Sequence, residues 1–113
     1  MENSKDAWEG TQIKVFINWM NTNLAHVGKQ VDQLQDLQTG VLLIELLSIL
    51  TEKPFPYRYT KNPRNISQIN DNCALLFQFL ATEKIHLVNI GGKDITDVNI
   101  KLILGLIWRL ILK

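Results

Sequence analysis

The chain has 113 residues, 46% of them apolar and 20% charged. Those values are ordinary for a globular domain; they exclude disordered and collagen-like classes, and the length builds one core but not two. Twelve Lys and Arg against eleven Asp and Glu leave a formal charge of +1, too small a basic excess for a general nucleic-acid or membrane-surface binder.

Residues 1–10 are mostly polar and hold no apolar stretch of signal-peptide type. They read as a loose N-terminal arm, with Trp8 docking on a domain that spans residues 11–113. The first helix is expected from about Thr11, as N-cap, to Ala25. Ile13, Phe16, Ile17, Met20 and Leu24 recur at spacings of three and four and form one apolar face. Gly28 just beyond suits the left-handed position that ends a helix.

Val31, Leu34 and Leu37 then tuck a polar connection onto the core. In the segment from Thr39 to Leu50 only Glu45 and Ser48 are polar from Val41 onward. A helix apolar nearly all round is buried nearly all round, and about twelve residues cannot span a bilayer. This segment is expected to be the central helix, and the chain is not transmembrane. All three prolines, Pro54, Pro56 and Pro63, fall in the next stretch, which must be a loop.

A third helix is expected over 67–82, with Ile66, Ile69, Cys73, Leu76, Phe77 and Leu80 as its apolar series. One helical turn should follow at 94–98. A last helix should run from about Asn99 to the end, with Asp97 placed to accept its first amide hydrogens. No strand pair emerges, so the fold class is all-α. Trp19 and Trp108, each within a helix that must dock, are expected to be anchors in the core.

Catalytic signals are poor. A single cysteine excludes an internal disulfide and a multi-cysteine zinc site. His26 and His86 lie far apart and lack His or Glu company at helical spacing, so no metal site is indicated. Cys73 sits on an apolar helix face, where a buried thiol is ordinary. Gly91-Gly92 lacks the spacing and the Lys-Ser/Thr of a phosphate loop. The chain does not read as an enzyme, and no cofactor is implied.

Two features rise above this background. The loop over 53–64 carries Lys53, Arg58, Lys61 and Arg64 with no acid, interleaved with Phe55, Tyr57 and Tyr59. Such a pattern can stack and neutralise single-stranded nucleic acid. The balanced overall charge favours instead a surface loop pinned to the core by its aromatics, and no nucleic-acid partner is expected. The other feature is the last helix. Lys101, Gly105, Arg109 and Lys113 form an i, i+4 series in an otherwise apolar segment. Ile100, Leu104, Ile107 and Ile111 can face the core; Leu102, Ile103, Leu106 and Leu110 cannot all join them from one side. Either the helix is sandwiched inside the domain or part of its apolar surface meets a partner.

The residues of this region carry a resemblance. Leu87-Val88-Asn89-Ile90, Asp94-Ile95-Thr96-Asp97-Val98-Asn99 and Lys101-Leu102-Ile103-Leu104-Gly105-Leu106-Ile107-Trp108 resemble the calponin-homology domain. The nearer likeness is to the first domain of the tandem actin-binding region of α-actinin, spectrin, filamin, plectin and dystrophin-like proteins. That family writes the stretch roughly as LVNI…DI-x-DGN-x-KLTLGLIW-x-II. Gln12-Ile13-Lys14-Val15-Phe16-Ile17-Asn18-Trp19-Met20-Asn21 is similar to its opening QxKTFTxWxN. Thr39-Gly40-Val41-Leu42-Leu43-Ile44-Glu45-Leu46-Leu47 is similar to its DGxxLxxLL helix. Three positions depart: Val98 stands for the glycine of DGN, Ile103 for a threonine, and Thr39 for an aspartate.

The resemblance implies four main helices and short accessory ones around a central buried helix. It implies binding to F-actin, in a cytoplasmic, cytoskeletal cross-linking or anchoring protein, with a second calponin-homology domain as a further partner in the parent chain. Carried over residue by residue, the contacts are Gln12, Lys14, Asn18 and Asn21 on the first helix. On the last helix and its preceding turn they are Lys93, Lys101, Leu102, Leu106, Arg109 and Leu110. Lys53, Arg58, Lys61 and Arg64 make a further basic patch, with a phosphoinositide as a regulatory ligand to consider. The rival reading is a calponin-homology scaffold domain without actin affinity.

Overall fold

A computed structural model describes the backbone of residues 4–87 and 89–113, and the side chains from Glu9 onward except Val88. Five α-helices and two 3-10 turns occur, with no strand among the described residues. Helix α1 spans Ser4–Leu24, α2 Val41–Thr51, α3 Ile66–Thr82, α4 Gly92–Thr96 and α5 Ile100–Ile111. The 3-10 turns, Ala25–Val27 and Leu34–Leu37, connect α1 to α2.

The all-α expectation holds, and so does the position of α2. Leu46, Leu47 and Ile44 are fully buried, with Leu43 nearly so. Helices α1 and α3 pack on α2, and α5 packs on α1 and α4. The apolar face expected for α1 divides: Phe16, Met20 and Leu24 are buried, while Ile13 and Ile17 lie half-buried at its margin.

Several boundaries differ from expectation. Helix α1 begins at Ser4, so residues 4–10 extend it and Thr11 lies inside it rather than capping it. No proline interrupts this stretch, and one glycine, Gly10, weakens a helix by only about 1 kcal/mol. The docking expected of Trp8 falls outside the described side chains. The cap of α5 is Asn99, whose Oδ1 accepts from the Leu102 amide at 3.4 Å, and not Asp97. Asp94 holds the preceding turn, with its Oδ2 accepting from the Gly91 amide at 2.8 Å. Ile66 opens α3 at 62% exposure and does not join its buried face.

One polar side chain organises the middle of the fold. Asn72 is fully buried. Its Oδ1 accepts from the Thr60 amide at 2.9 Å, and its Nδ2 donates to the carbonyls of Thr60 and Thr39 at 2.8 and 3.2 Å. A buried amide is tolerated only when satisfied in this way. It ties the proline-rich loop and the start of α2 to α3. Gly40 passes close by at φ +80, where a Cβ would lie 3.3 Å from that of Asn72.

Candidate functional site

Helix α5 resolves the choice posed by its sequence. It is sandwiched. Ile103, Leu104, Leu106, Ile107 and Leu110 are all buried, at 6% exposure or less, and Ile100, Leu102 and Ile111 are half-buried. One side meets α1 and α4. On another, His86, Leu87 and Ile90 lie beside Leu102 and Leu106 across a groove of about 440 Å³. Leu106 and Leu110, at 1% and 2% exposure, are therefore core residues and not the exposed contacts they were expected to be. A second wall of chain covers what a one-sided helix would leave open.

What α5 shows to solvent is narrow: Lys101, Gly105, Trp108 and Arg109, with Leu112 and Lys113 exposed just past its end. Trp108 is 51% exposed and so is not the core anchor expected of it. Its ring stacks on the buried ring of Phe16, which joins α5 to α1. Trp19 is half-buried and packs on the core. The ion pairs among the described residues are Lys29–Glu45 and Lys53–Glu83. Lys101 and Arg109 take part in neither, and both border the groove.

On α1, Lys14 and Asn18 are exposed one turn apart, and Gln12 is half-buried. Asn21 is committed elsewhere. Its amide donates to the Val31 carbonyl at 2.9 Å and accepts from the Val31 amide at 2.6 Å, holding the following connection in place. Lys93 is exposed on α4, beside Thr96 and Asp97 in a different depression from that of Lys101 and Arg109. The structure thus gathers Lys101, Leu102 and Arg109 at one groove, sets Lys93 apart, and removes Leu106, Leu110 and Asn21 from the free surface. Signals for Leu87 and Ile90 as groove walls were present in the apolar run before Gly91, but their partner helix face was not.

The loop over 53–64 follows its bland reading. Phe55 makes edge-to-face contacts with Tyr57, Tyr59 and the buried Phe79, at centroid separations of 5.2–5.5 Å. Its aromatics pin it to α3. Lys53 Nζ is held by Glu83 at 2.8 Å, leaving Arg58, Lys61 and Arg64 exposed. Across the adjacent groove Glu45 Oε1 accepts from Lys29 at 2.6 Å, while its Oε2 is buried with no partner among the described residues. Burial, with help from the Glu45 carboxylate, pushes the Tyr59 phenol above its ordinary range, and the Lys29 ammonium opposes this.

Among the described residues the cysteine is not an activated nucleophile. Cys73 is buried and burial raises its thiol pKa, the reverse of what an activated nucleophile needs. Its role is packing: a Cβ at Gly92 would lie 3.0 Å from that of Cys73, which accounts for the second glycine of Gly91-Gly92. Among the described residues no group of three or more His, Cys, Asp or Glu could hold a metal, and no helix is long and apolar enough to cross a membrane.

The calponin homology (CH) domain profile matches residues 10–113. The chain belongs to the calponin homology family. It is 41% identical over 106 residues to Filamin-A of Drosophila melanogaster, covering 93% of this chain and 5% of that protein. It is 39% identical over 108 residues to Alpha-actinin-like protein 1 of Schizosaccharomyces pombe, covering 94% of this chain and 17% of that protein. It is 40% identical over 109 residues to the erythrocytic Spectrin beta chain of Mus musculus, covering 96% and 5%. The chain therefore spans a small part of each of these relatives. For a calponin homology domain, the turn before α5 holds a notable residue: Val98, standing where the family motif has glycine, adopts φ +54. The turn keeps the left-handed geometry that glycine adopts freely, despite a β-branched side chain.

Proposed function

We propose that this domain binds actin filaments by non-covalent surface contact, within a longer cytoskeletal cross-linking or anchoring protein of the cytoplasm. Membership of the calponin homology family, with filamin, spectrin and α-actinin-like relatives, supports the reading. The observation that carries it onto particular residues is the acid-free edge of α5, where Lys101 and Arg109 flank an apolar groove. Their charges would steer encounter with an acidic filament surface and set orientation. Leu102, Leu87 and Ile90 would supply the apolar part of the contact. Gln12, Lys14 and Asn18 on α1, and Lys93 in its separate depression on α4, would make further contacts. A second calponin homology domain in the parent chain belongs to the same proposal. The basic loop contributes less, since Lys53 is held by Glu83 and the aromatics are packed.

Co-sedimentation of the folded domain with F-actin across a salt series tests this. Pelleting that weakens as salt rises is expected, because exposed charge is screened over about 8 Å at physiological ionic strength. No pelleting at low salt would contradict it and favour a scaffold domain without actin affinity.

A further inference from the structure

Five glycines lie in or next to the α-helices, Gly10, Gly40, Gly91, Gly92 and Gly105, and for two of them a close approach gives a structural reason. Gly40 holds φ +80 and approaches Asn72; Gly92 approaches Cys73 within 3.0 Å. Gly105 has neither. It lies in the middle of α5 without a positive φ, it is exposed, and a Cβ there would meet nothing within 4 Å. Apart from proline, glycine is the poorest residue for a helix interior. Among the described residues, then, none requires that Gly105 lack a side chain.

Gly105 lies on the surface of the depression of about 440 Å³, between Lys101 one turn before and Arg109 one turn after. The walls and floor are Leu87, Ile90, Leu102 and Leu106, and His86 stands at the edge. No acidic residue lines it. An apolar hollow between two cations is complementary to an apolar side chain between carboxylates. Lys101 and Arg109 are about 12 Å apart along the helix axis, so the carboxylates would lie on opposite sides of the inserted group.

We propose that the groove over Gly105 receives an apolar side chain of an actin subunit whose neighbouring carboxylates pair with Lys101 and Arg109, and that Gly105 is the residue that leaves room for it. This rests on the actin-binding reading above. It assigns the affinity to a filled hollow as well as to charge, and makes Gly105 a specificity-determining position.

The test compares the whole chain with Gly105→Ala and Gly105→Leu, by F-actin co-sedimentation across a salt series and by thermal melting. Gly105→Ala should melt at or above the parent temperature, since it raises helix propensity in open space. Binding should fall at least fivefold for Ala and further for Leu. The slope of affinity against salt should stay unchanged, because no charge is altered. Should Gly105→Leu fail to fold, Gly105→Ala carries the test by itself. Parent-like binding by the folded variants would overturn the groove while leaving the actin reading intact. Loss of binding that tracks a lowered melting temperature would also overturn it, by making Gly105 a structural residue. A parent chain that does not pellet would overturn both.

Discussion

The indole of Trp108 lies nearly parallel to the ring of Phe16, with centroids 6.1 Å apart and planes inclined by 19°. Phe16 is 4% exposed and Trp108 51%, so the stack runs from core to surface. It is a side-chain contact that joins α5, which carries Lys101 and Arg109, to α1, which carries Lys14 and Asn18. In a variant with Trp108 as the sole tryptophan (Trp8→Phe, Trp19→Phe), acrylamide should quench emission to an intermediate degree. Adding Phe16→Ala should raise quenching and destabilise the fold by about 3–5 kcal/mol, the usual cost of emptying a buried phenylalanine site. Quenching indifferent to Phe16 would show that the stack does not hold in solution.

Val98 should respond in an inverted order to truncation. Its side chain is half-buried and packs on the core, so any shortening loses contact. At φ +54 alanine keeps the left-handed strain, about 1–2 kcal/mol per residue, while glycine relieves it. Glycine's greater freedom in the unfolded chain offsets about 0.4–1 kcal/mol of that relief. Val98→Gly should therefore be more stable than Val98→Ala by about 0.5–1 kcal/mol in urea unfolding, the reverse of the order in a helix interior. Alanine as the more stable variant would place Val98 in ordinary backbone geometry.

Alkaline pH should weaken the fold in two stages. The Cys73 thiol and the Tyr59 phenol are both raised, from ordinary values of 9.0 and 10.0, chiefly by burial. Below those values each group is neutral folded and unfolded and contributes no pH dependence. Above them the unfolded chain loses its proton first, binds fewer protons than the native state, and stability falls as pH rises. Tyr59→Phe should flatten the decline above about pH 10 and leave the part that begins near pH 9. Urea midpoints across this range measure it, and an unchanged upper limb in Tyr59→Phe would remove Tyr59 as its source.

Where a periodicity has one physical solution, the sequence was sufficient. The run from Val41 to Leu50 has no polar face to turn outward, and α2 lies in the centre. The three prolines could only be loop. Failures came where a third element decides the outcome. Leu106 and Leu110 look surplus on α5 alone, yet both are buried in a helix that has His86, Leu87 and Ile90 on one side and α1 and α4 on another. Asn21 reads as a free polar contact until its tether to Val31 is seen. Trp108 reads as an anchor because its size suggests burial, but half of it is at the surface. The cationic spacing of Lys101, Gly105 and Arg109 was legible. The hollow between them was not, because it depends on a segment more than ten residues away.

The most direct measurement is F-actin co-sedimentation of the Lys101→Glu/Arg109→Glu double variant beside a control of equal charge change. Lys29 is unsuitable as a control, since reversing it would set two carboxylates against each other at Glu45. Gln35→Glu with Asn62→Glu, Ser67→Glu and Gln78→Glu changes four exposed positions away from that edge and the net charge by the same amount. If α5 presents the actin-binding edge, the double variant stays folded and loses about tenfold or more in affinity, about 1.4 kcal/mol, while the control pellets nearly as the parent does. Equal weakening of both would reduce the effect to general electrostatics, and parent-like pelleting of the double variant would contradict a role for the Lys101–Arg109 edge.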